Sequence, residues 1–177
     1  MSPPNRFAEW LASGKPIVAD GAMGTMLHAR GVPFEVCFDE LNRTQPELVQ
    51  SVHQEYLEAG AQIIETNSFG ANRHKLAAHG LEGQVSEINA AAVRLVRQAI
   101  QETGKEALIA GSVGPLGVRM APFGRVKPEQ AYEALREQIA ALVDAGADLI
   151  VLETQSDLYE LREGIRAAKD IGDVPVI

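Results

Sequence analysis

A single cysteine, Cys37, sets the first limit on this 177-residue chain. It cannot form an intrachain disulfide, so nothing indicates an oxidising compartment. Flanked by Val36 and Phe38, it reads as a packed thiol. Zinc needs three or four ligands at suitable spacing, and His28, His53, His74 and His79 do not supply them. Basic residues are also scarce: 16 against 24 acidic ones, a net charge of −8. That balance argues against nucleic acid or an anionic membrane as the main partner. Apolar runs stay well below the roughly 20 residues of a membrane span. Met1–Arg6 lacks the basic start and apolar core of a signal peptide. The expectation is a cytoplasmic α/β protein, shorter than the roughly 250 residues of a closed (βα)8 barrel.

What is present is a repeat. Ala145-Gly-Ala-Asp-Leu-Ile-Val-Leu-Glu-Thr154 is a short apolar run fed by Gly146 and ended by Glu153. Ala59-Gly-Ala-Gln-Ile-Ile-Glu-Thr66 has the same turn, strand and terminal Glu-Thr. Two helix–Gly–strand–Glu units predict a parallel βα sheet with functional groups beyond the carboxyl ends of its strands. Around them the pattern predicts strands at 15–19, 63–65, 107–110, 149–153 and 174–177. Helices are predicted at 6–12, 46–59, 85–102, 129–145 and 158–168. Residues 67–83 and the Gly- and Pro-rich stretch 111–128 read as long connections, the second as a mobile active-site loop. Helix-to-strand turns are tight and most strand-to-helix loops long, the asymmetry of a βα enzyme. The chain therefore reads as the N-terminal half of a (βα)8 TIM-type barrel, about four βα units and the start of strand five. A flavodoxin-like doubly wound sheet is the alternative.

Asp20, Glu65 and Glu153 each end a strand. Three carboxylates at one rim suit a cation, either the ammonium of an amino acid or a divalent metal such as Mg²⁺. Asn67, Ser68 and Phe69 follow the second strand with polar groups and a flat aromatic wall. Turn amides around Gly21 can take a substrate carboxylate. Gly111–Gly117 resembles a phosphate loop only superficially, since Pro115 lacks an N–H and no helix N-terminus follows at once.

Read in order, five motifs resemble the homocysteine S-methyltransferase family over nearly the whole chain. They are Asp20–Thr25, Cys37–Asn42, Glu65–Asn72, Gly111–Pro115 and Leu152–Thr154. The likeness is greatest to the N-terminal half of the methyltransferase domain in bacterial bifunctional homocysteine S-methyltransferase/methylenetetrahydrofolate reductases. Cobalamin-dependent methionine synthase is similar over the same motifs. The resemblance implies that residues 1–177 are the N-terminal half of a homocysteine-binding domain. The carboxylates matching Asp20 and Glu153 would hold the substrate ammonium, with Gly21, Glu65, Asn67, Ser68 and Phe69 around them. It also implies a methyl donor, a possible C-terminal reductase domain, and a zinc ion that turns the homocysteine thiol into a thiolate. The zinc cysteines are expected beyond Ile177, and Cys37 matches none of them. No catalytic residue and no metal ligand is assigned within the chain. A Mg²⁺-dependent lyase or aldolase using the rim carboxylates, and a non-catalytic half-barrel assembly module, are the competing readings.

Overall fold

A computed structural model describes residues 6–177; the N-terminal segment, where the sequence shows no signal-peptide pattern, lies outside the described residues. Helix α1 (Arg6–Ala12) leads to an extended stretch, then α2 (Met23–Ala29), α3 (Leu41–Thr44) and α4 (Pro46–Glu58). Strand β1 (Ile63–Glu65) is followed by α5 (Arg73–Ala77), a 3-10 turn and α6 (Val85–Thr103). Then come β2 (Leu108–Val113), α7 (Pro128–Asp144), β3 (Leu149–Leu152) and α8 (Leu158–Ile171). Among the described residues no helix is long and apolar enough to cross a membrane.

The sheet is parallel, in the order β1-β2-β3. The expected first and fifth strands are reduced to single parallel bridges, Ala19 with Ile63 and Ile150 with Val176. They still sit at the two edges. Gln62 and Ile63 N–H donate to Val18 O, and Leu152 N–H donates to Ile177 O at 2.9 Å. Every strand thus neighbours the next in chain order. A flavodoxin-like sheet reverses its order at a switch point, so that alternative is not what forms.

Two apolar layers cover the sheet. Ile64, Ile109 and Ile150 point into the main core with Leu57, Val96, Leu135, Ile139 and Leu142 from the helices. Ile63, Leu108, Ala110 and Leu149 face the other way, against Phe7 and Trp10 of α1. Burial of each large side chain contributes roughly 1.5–3 kcal/mol. This two-sided burial explains why the strands read as unbroken apolar runs. Both repeats turn as the sequence predicts: Gly60 at φ 102° and Gly146 at φ 95° adopt a conformation that costs other residues about 1–2 kcal/mol.

Three expectations are corrected. β2 runs on to Val113, so Gly111 and Ser112 are strand, not loop. A Cβ at Gly111 would lie 2.8 Å from Ile150 Cδ1 and 3.0 Å from Leu142 Cδ1, so this glycine is required by helix–sheet packing. The connection 67–83 contains α5, capped by Asn72, whose side chain accepts from His74 and Lys75 N–H. The irregular segment 21–42 holds α2, whose sequence Met-Gly-Thr-Met-Leu-His-Ala buries only Leu27 and so shows no apolar period.

Candidate functional site

The strand ends converge on one cavity of about 1100 Å³. Asp20, Gly21, Glu65, Asn67, Ser68, Phe69 and Glu153 all line it, together with Ser112, Asp39, Lys75 and Thr154. Parallel register explains the meeting: Val113 at the end of β2 pairs with Leu152, one residue before Glu153.

The carboxylates are wired to each other. Asp20 Oδ2 accepts the Glu65 N–H at 3.1 Å. The Glu65 and Glu153 carboxyls are close enough for the Glu153 charge to act on Glu65. Ser112 Oγ donates to Glu153 Oε1 at 2.5 Å. Burial raises the Asp20 pKa to about 7, and the Glu153 charge adds to the rise. Burial and then Glu153 push Glu65 up as well. Lys75 on the same cavity interacts with Glu153, and protons or an incoming cation can balance the remaining negative charge of the cluster. Thr154, next to Glu153, is the one non-glycine residue with a left-handed backbone among the described residues, φ 57°. Such strain clusters at functional sites and costs about 1–2 kcal/mol.

The residues after β1 play a different part. Asn67 donates to Phe38 O at 2.7 Å and to Asn42 Oδ1 at 3.1 Å. Ser68 Oγ donates to Ser112 O at 2.8 Å and lies 2.6 Å from Thr66 Oγ1. Their side chains tie strands and loops together, so they border the cavity as a fixed wall. Phe69 packs against Gly114, where a Cβ would sit 2.4 Å from the ring. Lys75 Nζ lies 4.1 Å over the same ring. A Cβ at Gly21 would approach Tyr56 Oη to 2.9 Å, and that hydroxyl donates to Ala22 O.

Sequence reasoning missed Ser112, Asp39 and Lys75. The signal for Ser112 was present: extending β2 two residues further puts it at the rim beside Glu153. Asp39 accepts the Gly70 N–H at 2.9 Å, and burial lifts its pKa to about 6.

Zinc does not fit the residues described. Cys37 is buried among Ala71, Leu76 and Leu81, and its thiol is pushed up by burial and by Asp39. Among the described residues no three His, Cys, Asp or Glu side chains are grouped to hold a metal ion. That holds for the rim carboxylates too, so the Mg²⁺ reading gains nothing from the geometry.

A parallel βα sheet with an acidic cavity at its strand ends is the framework of an α/β enzyme. The homocysteine S-methyltransferase family model matches residues 17–177, and the chain belongs to that family. The methionine synthase of Mycobacterium tuberculosis is 30% identical over 166 residues, covering 89% of this chain and 14% of the relative. That of Mycobacterium leprae is 29% identical over 164 residues, covering 86% and 13%. The crystal structure of metallated homocysteine methyltransferase MmuM from Escherichia coli matches with a TM-score of 0.81 and 31% identity. It covers 94% of this chain and 63% of the MmuM chain, so the chain spans only part of each of these relatives.

Proposed function

We infer that this chain is the N-terminal half of a (βα)8 methyltransferase domain and supplies the amino-acid pocket for homocysteine. One observation carries the reading: Asp20, Glu65 and Glu153 gather on the cavity, and among the described residues no basic side chain is hydrogen-bonded to them, Lys75 acting on Glu153 only through its charge. An α-ammonium group completes that network. On arrival it displaces the proton that the raised carboxyls retain near neutral pH and turns like-charge repulsion into charge-assisted hydrogen bonds. Family membership then assigns the rest of the substrate, a thiol that accepts a methyl group. In that step the sulfur lone pair forms the new C–S bond while the donor leaves with the electrons of the broken bond. Sequential strand order and the MmuM likeness support the half barrel. A cytoplasmic setting and a fused methylenetetrahydrofolate reductase domain belong to the same reading.

The test is homocysteine binding by the full-length protein. Glu153→Gln should weaken it by about 1.5–3 kcal/mol. Affinity for 4-sulfanylbutanoate, which lacks the ammonium, should not change. Equal losses for both ligands, or none for homocysteine, would reject the ammonium site.

A further inference from the structure

Helix α8 buries two carboxylates within one turn, Glu160 at 5% and Glu163 at 2% exposure. A buried charge is costly unless it is paired. Glu163 is paired, with Arg162 Nη2 at 2.9 Å and Arg166 Nη1 at 3.3 Å. Glu160 forms no ion pair among the described residues. Its Oε1 accepts the Leu116 N–H at 2.6 Å instead. A neutral side-chain amide would serve that bond as well, so the bond alone does not explain a charge there.

Leu116 lies in the connection between β2 and α7, which composition predicts to be a mobile loop. The base of that connection is held. Leu116 is fully buried in the main core, and Gly114 N–H donates to Phe69 O at 3.1 Å. The bare backbone of Gly117 then carries the stem of Lys75. A Cβ there would fall 3.0 Å from Lys75 Cγ and 3.2 Å from its Cε. On that seat the Lys75 ammonium lies over the Phe69 ring, a favourable contact for a cation. Leu116, Gly117, Val118, Phe69 and Lys75 line the cavity, whereas Glu160 does not. Burial lowers the Lys75 pKa, and the charges of Asp39, Glu160 and Glu153 oppose that, in decreasing order. The Glu160 charge therefore acts on Lys75 from outside the cavity.

Lys75 is itself an ammonium on a flexible stem, within electrostatic reach of Glu153. Released, it would compete with a substrate ammonium for the rim carboxylates. We propose that Glu160 is a positioning residue that keeps this internal competitor away from the rim acids. Its bond to Leu116 fixes the Gly117 seat, and its charge helps retain the Lys75 ammonium over Phe69. The proposal rests on the cavity being the homocysteine pocket. It gives each buried carboxylate of α8 its own task. Glu163 binds arginines of its own helix, and Glu160 ties that helix to the cavity wall.

The experiment takes two readouts from the full-length protein. One is equilibrium binding of homocysteine. The other is the position of Lys75, read by NMR from isotope-labelled methyl groups placed on the lysines by reductive methylation, which keeps their charge. Over the Phe69 ring these methyl signals are displaced by the ring current, and Lys75→Met assigns them. Glu160→Ala should remove the displacement and weaken homocysteine binding several-fold. Adding Lys75→Met to Glu160→Ala should restore the affinity, which a merely structural defect would not allow. Glu163→Ala, which leaves the wall alone, should lower stability and keep both readouts as in wild type. Glu160→Gln retains an acceptor for the buried N–H, guards against misfolding and should show the same changes in smaller measure. An undisturbed Lys75 signal in Glu160→Ala, no rescue by Lys75→Met, or equal weakening by Glu163→Ala would overturn the proposal. Weaker binding in Lys75→Met alone would make Lys75 a substrate ligand and overturn it too. A wild type that fails to bind homocysteine, with Lys75 still released by Glu160→Ala, would reject the acceptor pocket and uphold the hold of Glu160 on Lys75.

Discussion

The two strand ends Glu65-Thr66 and Glu153-Thr154 share a dipeptide, a feeding glycine and a place in the sheet, yet they are finished differently. Thr66 is 3% exposed; its Oγ1 accepts the Ser112 N–H at 3.1 Å and touches Ser68 Oγ at 2.6 Å. Apart from Phe69, the chain beyond it as far as Asn72 stays buried, with Gln138 Nε2 on Ser68 O at 2.7 Å and Asn89 Nδ2 on Ala71 O at 2.9 Å. Thr154 is exposed and left-handed, and Ser156 and Leu158 beyond it are exposed too. One end is a wall tied by buried hydrogen bonds, although Gln138 Oε1 and Asn89 Oδ1 have no partner there. The other is an aimed carboxylate on a strained hinge, steadied mainly by Ser112. A repeated sequence unit thus specifies strand and acid, whereas the surroundings decide which copy is rigid.

The largest effect should come from breaking the wall. Thr66→Val keeps the shape but removes the acceptor of a buried N–H, leaving Ser112 N–H without its partner. An orphaned buried donor costs about 1–3 kcal/mol, and denaturant unfolding of the full-length protein should show a loss of about 2 kcal/mol. Thr154→Val, at the exposed end, should change stability by less than about 0.5 kcal/mol. Equal effects at both ends would erase the contrast.

The first end should also govern pH dependence. Asp20, at about 7, and Glu65 both have folded-state values above those of a free carboxyl. The folded state therefore holds protons that the unfolded chain has released. This contribution is complete below roughly pH 4 and fades as pH rises through the folded values. Other carboxylates titrate over the same range, so the informative quantity is the difference between wild type and Asp20→Asn. The wild type should lose stability relative to the variant between pH 5 and 8, and homocysteine should restore it. A flat difference would mean that Asp20 is ionised in the empty site and binds an ammonium without releasing a proton.

What could be read from the sequence follows from this contrast. The rim acids were legible because each closes an apolar run, and their positions needed only strand direction. The helices with several apolar turns were legible within a few residues of their ends. Ser112 was hidden because Gly111 and Gly114 look like loop residues; both are demanded by neighbours distant in sequence, Leu142 and Ile150 in one case and Phe69 in the other. Asn67 and Ser68 line the cavity, but their bonds to Phe38, Asn42 and Ser112 depend on tertiary partners that no local pattern encodes. Lys75 lay in a stretch read as a loop, and only the turn of α5 carries it over Phe69.

The smallest effect tests the hinge itself. Thr154→Gly removes a left-handed strain of about 1–2 kcal/mol, because glycine adopts φ near 57° without a Cβ clash. The gain is offset by the greater entropy of glycine in the unfolded chain, about 0.4–1 kcal/mol. A net stabilisation of about 0.5 kcal/mol is expected, near the limit of a careful denaturation measurement. The same change deletes the Thr154 hydroxyl, which lies 3.4 Å from Glu153 Oε2, and frees the backbone that aims the carboxylate. Homocysteine should accordingly bind more weakly to a slightly more stable protein. The analogous Thr66→Gly should instead destabilise, since it relieves no strain and removes a buried acceptor. If Thr154→Gly bound homocysteine as the wild type does, the strain would be incidental and Ser112 alone would hold Glu153 in place.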